Sequence, residues 1–272
     1  AWSQPLKPLA RKTDMKITKL EKKKRLYLLE TDQDQKIYIT EDTIVRFFLS
    51  KDKEISEKEW KEIQTFAQLS YGKNLALYHL SFKQRTKKEV SDYLHSHEID
   101  ASIIPSILIE LESDNWINDQ SYARNILDQN QLSGNKGPHI LQQKLGQKGI
   151  EKKILHQLMA EYDFSAVAER VAQKSLKKYQ AKLPHKALKD KLIQSLMSKG
   201  FSYTLAQEAI ASLEIKNDQE QEVDLIYREL DKQHRKYAKK YQGYDLQQRL
   251  IQSLARKGYD YDLIKSAIRD YM

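Results

Sequence analysis

A turn motif recurs four times along the chain and limits the folds that the chain can adopt. The segments LHSHEIDASIIPSIL, LGQKGIEKKILHQLM, LMSKGFSYTLAQEAI and LARKGYDYDLIKSAI align on Glu98, Gly149, Gly200 and Gly258, at separations of 51, 51 and 58 residues. Each segment has a leucine four residues before the aligned position and an apolar residue directly after it. This pattern is typical of an amphipathic helix that ends in a left-handed glycine cap covered by an apolar side chain. Because Glu98 replaces the glycine in the first copy, we expect that turn to close differently.

The units around these turns each contain three predicted helices. Gly137-Pro138, Pro184 and Gly243 interrupt the chain before the helix that ends in the turn, and a second apolar helix follows the turn. Three helices in roughly 50 residues, repeated along the chain, are typical of stacked helical arrays. We therefore predict a mainly α fold of tandem three-helix repeats in an elongated, curved array. The predicted repeats cover residues 66–120, 121–170, 171–216 and 217–272.

The segment before the repeats has a different periodicity. From Met15, MKITKLEKKKRLYLLE and QKIYIT alternate apolar and polar residues around the polar turn TDQDQ, which predicts two or three short antiparallel strands. Helical patterns follow from about Glu41 and from Ser56, and Ser56 and Glu59 match a capping box. Residues 15–65 are thus predicted to form a small α+β extension. Residues 1–14 lack the apolar core of a signal peptide, and we interpret them as a remnant of the expression vector or a disordered tail.

Composition excludes several classes of protein. The 272 residues include no cysteine, which removes disulfides, thiolate chemistry and cysteine-based zinc sites and suits a reducing cytoplasm. No apolar run approaches the roughly 20 residues that a membrane-spanning helix needs. We therefore expect a cytoplasmic protein with no membrane partner, and we expect it to be a monomer.

Positive charge is concentrated in the C-terminal half. The net charge of the chain is +9, from 47 basic and 38 acidic residues. Residues 171–216 contribute +6, from nine basic and three acidic residues, whereas residues 66–120 contribute −3. A polyanion is therefore expected to contact the C-terminal half of the chain.

Two similar basic strings, KSLKKYQAK from Lys174 and KQHRKYAKK from Lys232, lie 58 positions apart in this half. At 100° per residue, each string separates into an apolar stripe and an opposite basic face. The predicted stripes comprise Ala168, Ala172, Leu176, Tyr179 and Leu183 in the third repeat, and Val223, Ile226, Tyr227, Leu230, His234, Tyr237 and Tyr241 in the fourth. The opposite faces comprise Lys174, Lys177, Lys178 and Lys182, and Lys232, Arg235, Lys236, Lys239 and Lys240. These nine cations are the candidate binding residues for phosphates, although a solvated helix face is the simpler alternative. Tyr179 and Tyr237 are assigned to packing rather than to base stacking, since stacking requires exposure on the basic side.

Residues for catalysis, metal binding or cofactor binding are not recognised in the sequence. His95 and His97 are two positions apart, which places them on different faces of a helix. Asp32 and Asp34 are better explained as turn residues than as metal ligands. The loop of residues 134–137 matches the GxxG form of a KH clamp but lacks the flanking strands of that domain, so it is interpreted as a connection between helices.

Several of these motifs together resemble the RecX family, the small helical regulators of the RecA recombinase. NDQSYARN resembles the family's Asp-x-x-Phe/Tyr-Ala signature at Asp119, Tyr122 and Ala123. GNKGPHILQQKLGQKGI, from Gly134, is similar to the family's Gly-Pro-x-x-Ile-x-x-x-Leu-x-x-x-Gly-Ile stretch. With the Leu-x-x-x-Gly turns, the resemblance covers about residues 70–272, and the N-terminal strands resemble the extension of longer members.

The resemblance departs from the family pattern at one place. The stretch around Gly137 is usually rich in arginine in the family, whereas this chain has His139, Gln142 and Gln143 there. The distribution of charge therefore has to locate the polyanion contact, and it favours the two basic faces of the third and fourth repeats.

The resemblance implies a non-catalytic regulator with no cofactor. Its implied partners are a RecA-type recombinase filament, single-stranded DNA and, through the same phosphate chemistry, double-stranded DNA. The implied effect is inhibition of recombinase activity in DNA repair, homologous recombination and the SOS response. Two alternatives remain open, namely a protein that binds DNA directly without sequence preference, and a helical scaffold for another protein, in which the charge is incidental.

Overall fold

The computed structural model describes residues 14–215 and 219–272, and these residues are mostly helical. They form two compact units, one that extends to Tyr122 and includes Lys148–Ile150, and one made of Ala123–Gln147 and the chain from Glu151 onward. The prediction for residues 1–14 falls outside the described residues, except at Asp14. The predicted mainly α fold with three-helix repeats and a small strand extension is confirmed.

Among the described residues, strands occur only in the first part of the chain, where a short helix separates the third strand from the fourth. The described strands are β1 (Met15–Lys23), β2 (Leu26–Thr31), β3 (Lys36–Ile39) and β4 (Glu54–Ile55). The helices that follow or interrupt them are α1 (Glu41–Phe47), α2 (Glu57–Phe82), α3 (Lys87–Ser96), α4 (Ile104–Ser113) and α5 (Asp119–Ser133). The remaining described helices are α6 (Pro138–Gln147), α7 (Lys152–Glu161), α8 (Ser165–Tyr179), α9 (His185–Ser198), α10 (Tyr203–Ala211), α11 (Gln219–Tyr237), α12 (Gly243–Arg256) and α13 (Tyr261–Tyr271).

The N-terminal strands form an antiparallel sheet in the order β3-β2-β1-β4, as the alternating pattern predicts. On its inner face, Leu20 pairs with Leu29, which pairs with Ile37. The predicted turn between β2 and β3 is also confirmed. Asp32 Oδ1 accepts a hydrogen bond from the Lys16 N–H at 2.8 Å, and Asp34 adopts a positive φ of 58°.

Helix α2 begins at the predicted position, but its cap is only half of the predicted capping box. The Ser56 hydroxyl accepts a hydrogen bond from the Glu59 N–H at 3.2 Å. The Glu59 carboxylate does not return to Ser56, because it binds Lys53 Nζ at 2.7 Å instead. A complete capping box, which the sequence analysis missed, joins Thr86 and Glu89 at the start of α3. A salt bridge from outside the helix therefore decides whether the box closes.

Helix α2 takes part in two hydrophobic cores of the first unit. Its N-terminal half contributes Trp60, Ile63 and Ala67 to the core beneath the sheet. Its C-terminal half contributes Ala76 and Leu80 to the core that it shares with α3 and α4. One continuous helix thus joins the strand extension to the first three-helix group.

Asp119, one of the residues on which the family resemblance rests, has a structural role at the start of α3. The Asp119 carboxylate accepts a hydrogen bond from the Lys87 N–H at 2.8 Å. The first N–H groups of a helix have no partner within the helix, so this carboxylate satisfies one of them and interacts favourably with the helix dipole. Ala123, from the same signature, is fully buried.

The first turn of the repeated motif closes in the same way as its glycine-containing counterparts, which corrects the expectation for Glu98. Glu98 adopts a φ of 59°, and the Ile99 N–H donates to the Leu94 carbonyl at 3.2 Å. The equivalent bond joins Phe201 to Leu196 at 3.3 Å. The helix-ending hydrogen bonds and the burial of Ile99 hold a glutamate in a left-handed conformation that glycine would adopt with less strain.

The glycine turns also allow a close approach between consecutive three-helix groups. A Cβ atom at Gly200 would lie 2.7 Å from the Ile140 nitrogen, and one at Gly258 would lie 2.9 Å from Ala187 Cβ. Backbone hydrogen bonds reinforce the first contact, since the Gly137 N–H donates to the Lys199 carbonyl at 2.7 Å. The turn of one group thus packs against the start of the middle helix of the preceding group.

Candidate nucleic-acid interface

The predicted basic face of the third repeat lies partly on α8 and partly in the turn that follows it. Lys174, Lys177 and Lys178 are exposed on α8. Lys182 is exposed as well, but α8 ends at Tyr179, so Lys182 lies in the turn and not on the helix face. The predicted helical stripe was therefore too long at its C-terminal end. The turn is held by a hydrogen bond from the Lys182 N–H to the Tyr179 carbonyl at 2.9 Å.

The fourth repeat reproduces this arrangement. Lys232, Arg235 and Lys236 are exposed on α11, whereas Lys239 and Lys240 lie in the turn after Tyr237, which again shortens the predicted helical stripe. The Lys240 N–H donates to the Tyr237 carbonyl at 2.9 Å, which is the counterpart of the bond made by Lys182. The two copies therefore share both the sequence and the way in which the helix ends.

The apolar stripes opposite these cations lie on the packed side of their helices, as predicted. Ala168, Ala172, Ile226 and Leu230 are buried. The other predicted stripe residues are half-buried, namely Leu176, Tyr179, Leu183, Val223, Tyr227, His234, Tyr237 and Tyr241. The packing of each helix thus leaves its basic side facing solvent.

Tyr179 and Tyr237 are held at the border between the two sides. The Lys178 ammonium lies 5.1 Å from the centroid of the Tyr179 ring, and the Lys236 ammonium lies 5.4 Å from that of Tyr237. Because both rings are half-buried against the packed side of their helices, they are poorly placed to stack on a base. Their half-buried positions agree with the assignment of these tyrosines to packing.

Carboxylates are scarce around the nine candidate cations. Within the described part of the chain, eight of them have no carboxylate within 4.0 Å, and Arg235 is the exception. Arg235 binds Asp231 one helical turn earlier at 2.5 Å. Exposed pairs of this kind stabilise a helix by about 0.3–0.5 kcal/mol. Asp231 therefore adds little to the stability of α11, and its main effect is to offset one positive charge of the basic face.

Glu229, a second acidic residue near this face, is already bound by other side chains. Glu229 accepts a hydrogen bond from Gln233 at 2.5 Å and forms a salt bridge with Lys257 at 2.9 Å. Burial acts to raise the pKa of Glu229, but the hydrogen bonds from Gln233 and Lys257 outweigh it, so its pKa is lowered. Glu229 is therefore ionised and neutralised locally.

Two further cations extend the surface and were missed in the sequence. Lys191 on α9 lies 5.7 Å from the Tyr179 ring centroid, beside the cations of α8. Arg249 on α12 lies 4.7 Å from the Tyr241 ring centroid, beside the turn of Lys239 and Lys240. Both are exposed, and they are 58 positions apart. Extending the register of the repeat beyond the two basic strings would have found them.

We name these two sets of residues the twin cation clusters. The first comprises Lys174, Lys177, Lys178, Lys182 and Lys191, and the second comprises Lys232, Arg235, Lys236, Lys239, Lys240 and Arg249. Exposed ammonium and guanidinium groups without nearby carboxylates can bind phosphates, and such contacts carry no base sequence information.

Among the described residues, no three histidine or carboxylate side chains converge in a way that could hold a metal ion. In the same part of the chain, the helices are too short or too polar to span a bilayer. The GxxG segment connects α5 to α6, as predicted, and the Asn130 side chain holds it through both the N–H and the carbonyl of Lys136.

Comparison with known proteins accounts for the duplicated clusters. Residues 161–210 and 219–268 both match the model of the third three-helix domain of RecX, and residues 73–111 match the model of its first three-helix domain. The two segments that match the third-domain model start 58 positions apart, which is also the separation of the two clusters. The clusters therefore lie on two copies of one domain type.

Relatives with high identity span most of the chain. The sequence is 60% identical over 258 residues to a regulatory protein RecX of Streptococcus sanguinis strain SK36. The aligned region covers 95% of this chain and 100% of that protein. It is 61% identical over 258 residues to a regulatory protein RecX of Streptococcus pneumoniae serotype 19F strain G54, with the same coverage.

Two solved structures have the same fold over part of the chain. A crystal structure of a regulatory protein RecX has a TM-score of 0.60 and 27% identity, over 73% of this chain and 100% of that one. RecX from Lactobacillus salivarius has a TM-score of 0.51 and 31% identity, over 55% of this chain and 98% of that one.

Proposed function

The chain belongs to the RecX family of regulatory proteins, and from this we propose that it binds filaments of a RecA-type recombinase on DNA and lowers recombinase activity. In this proposal the protein acts in the cytoplasm as a monomer without catalysing a reaction. The twin cation clusters are the observation that carries the proposal, because two equivalent binding surfaces suit a partner that itself repeats.

A filament on single-stranded DNA offers such a repeating partner. It presents phosphates and identical protein subunits at regular intervals, so two clusters on consecutive three-helix groups can bind at the same time. When one cluster is bound, the second binds at a high effective concentration, and the combined affinity exceeds that of either cluster alone. Individually weak phosphate contacts can then hold the protein on a filament.

The chemistry of the clusters favours binding without sequence preference. Lysine and arginine side chains that neutralise phosphates release counterions, so the affinity falls as the salt concentration rises, with a slope of about −0.7 per contact on single strands. The same contacts form on duplex DNA. Direct binding to DNA, without the recombinase, is therefore the second candidate function, and the scarcity of carboxylates around the clusters supports it equally well.

The test uses charge reversal in each cluster separately and together. One variant carries Lys174→Glu and Lys178→Glu, a second carries the equivalent Lys232→Glu and Lys236→Glu, and a third combines all four changes. The matched control reverses Lys152 and Lys153, which are exposed on α7 outside the clusters. Binding to bare single-stranded DNA and to preassembled recombinase filaments is measured over a range of salt concentrations.

Bivalent binding predicts a specific pattern. Each double variant loses most of the filament affinity, the quadruple variant also loses the affinity that remains, and the salt slope falls by about 1.4 for each pair of reversed contacts. The control variant binds as the unmodified protein does. Filament binding no tighter than binding to bare DNA would exclude the recombinase proposal in favour of direct DNA binding. An unchanged salt slope in the quadruple variant would exclude the clusters as the contact.

A further inference from the structure

The tip of the β1–β2 hairpin is a basic surface away from the twin cation clusters. Lys22, Lys24 and Arg25 are exposed there, and none has a carboxylate within 4.0 Å among the described residues. The neighbouring cations on the outer face of the sheet differ, because Lys19 and Lys23 both bind Glu21, at 2.8 and 2.6 Å. Positive charge is therefore uncompensated at the tip and neutralised next to it.

Two exposed aromatic rings lie beside this tip, at the end of α2. The Arg25 guanidinium carbon is 5.9 Å from the centroid of the Tyr78 ring. Tyr78 and Phe82 contact each other edge to face, with centroids 4.9 Å apart and an angle of 89° between the ring planes. Their exposed fractions are 53% and 67%, so much of each side chain is accessible to solvent.

The end of α2 and the segment after it add to the positive charge. Residues 63–88 contain five lysine and arginine residues and no aspartate or glutamate, and of these five, Lys73 and Lys87 are paired with carboxylates from α4 and its end. Lys83, which directly follows Phe82, is exposed and has no carboxylate partner within the described ranges. Burial, together with charges that include Arg85 and Lys83, lowers the pKa of His79 on the adjacent turn of α2. We name the set of Lys22, Lys24, Arg25, Tyr78, Phe82 and Lys83 the hairpin–helix patch.

Aromatic rings and cations share one exposed side in this patch, which is the arrangement that Tyr179 and Tyr237 lack. Proteins that bind single-stranded nucleic acids combine cations that follow the backbone with exposed rings on which bases stack. In a duplex the base faces are covered by their neighbours, so such rings select unpaired strands. We propose that the hairpin–helix patch is a separate contact for single-stranded DNA, in which bases stack on Tyr78 and Phe82 while the cations bind phosphates.

This proposal is independent of the recombinase and can be tested on DNA alone with the full chain. The probes are a labelled thymidine oligonucleotide of about 12 nucleotides and an abasic strand of the same length. Both carry the phosphates that the twin cation clusters bind, and only the first carries bases. The difference in affinity between the two probes therefore isolates stacking from electrostatic binding.

The stacking variant carries Tyr78→Ala and Phe82→Ala. Its matched control carries Tyr38→Ala and Phe48→Ala, which removes a tyrosine and a phenylalanine that are 57% and 84% exposed in the same unit but outside the patch. We expect the stacking variant to bind the thymidine strand about 5- to 30-fold more weakly, with an unchanged salt slope and unchanged affinity for the abasic strand. The control should bind both strands as the unmodified protein does.

A second variant separates the charges from the rings. Lys22→Gln, Lys24→Gln and Lys83→Gln together should weaken binding to both strands and reduce the salt slope by about 2. An equal loss on the thymidine and abasic strands in the stacking variant would overturn the stacking proposal. So would a loss that occurs only with recombinase filaments, because it would identify the patch as a protein contact. Thermal melting of both variants is compared with that of the unmodified protein. Equal melting temperatures show that a variant that binds DNA more weakly is still folded.

Discussion

Gly200→Ala provides a quantitative test of how consecutive three-helix groups pack. Gly200 has a φ of +89°, and an added Cβ would lie 2.7 Å from the nitrogen and 2.8 Å from Cγ1 of Ile140. The left-handed backbone costs an alanine about 1–2 kcal/mol, and overpacking against backbone atoms costs about 1–3 kcal/mol more. The reduced entropy of the unfolded chain offsets about 0.4–1 kcal/mol. We expect a net loss of about 1–4.5 kcal/mol in the free energy of unfolding.

Two other glycines in the same unit separate these contributions. Gly243 has a positive φ of +52°, but an added Cβ would meet no atom within 4 Å, so Gly243→Ala tests the backbone conformation alone. Its expected cost is about 0–1.5 kcal/mol. Gly146 lies within α6, and the nearest atom to an added Cβ is Leu155 Cδ1 at 3.9 Å. Gly146→Ala should stabilise the protein by about 0.5–1 kcal/mol, because alanine is the better helix former.

Native-state hydrogen exchange is the appropriate assay, since a chain with two compact units need not unfold in one step. The amides of α6 and α9 should lose protection in Gly200→Ala and keep it in the other two variants. The reasoning is refuted if Gly200→Ala costs no more than Gly243→Ala, because the close approach to Ile140 would then contribute nothing.

Three further predictions concern the turns, a cap and a buried tyrosine. Glu98→Gly should stabilise the first unit by about 0.5–1 kcal/mol, seen as a raised melting temperature, because glycine relieves the left-handed conformation; a lowered melting temperature would contradict this. Thr86→Ala should destabilise by about 1–2 kcal/mol in urea unfolding, because it removes both a helix cap and the hydrogen bond to the Lys148 carbonyl at 2.7 Å. Burial raises the pKa of Tyr259 to about 12. The contribution of this residue to the free energy of unfolding is therefore fully present below about pH 10 and is lost as the pH rises from about 10 to 12, because the tyrosine of the unfolded chain ionises in that range before the tyrosine of the folded chain does. Tyr259→Phe should make this fall shallower in pH-dependent unfolding, whereas Tyr244→Phe, at a residue that is 72% exposed, should not.

Much of the fold could be predicted because its signals are local. The leucine and glycine of each turn act within a few residues, and the apolar stripes follow from helical periodicity, so the three-helix pattern and the burial of Tyr179 and Tyr237 were correctly predicted. The errors arose where local rules compete with other contacts. Glu98 adopts the glycine conformation because hydrogen bonds around it hold the turn. The side chain of Glu59 leaves its capping box because Lys53 lies within 2.7 Å.

The candidate binding surfaces were likewise predictable where they depend on local sequence and not predictable where they depend on packing between helices. The cations of the two basic strings were found because they recur in one helix and its turn, whereas Lys191 and Arg249 belong to other helices and join them only through packing. Sequence by itself determined the repeat, its turns and which side of α8 and α11 is basic, because each depends on residues within one or two helical turns. Only the tertiary structure decided that Lys257 neutralises Glu229 and that Arg25 lies against Tyr78. Both contacts join distant segments of the chain, and the spacing of residues does not specify how such segments approach each other.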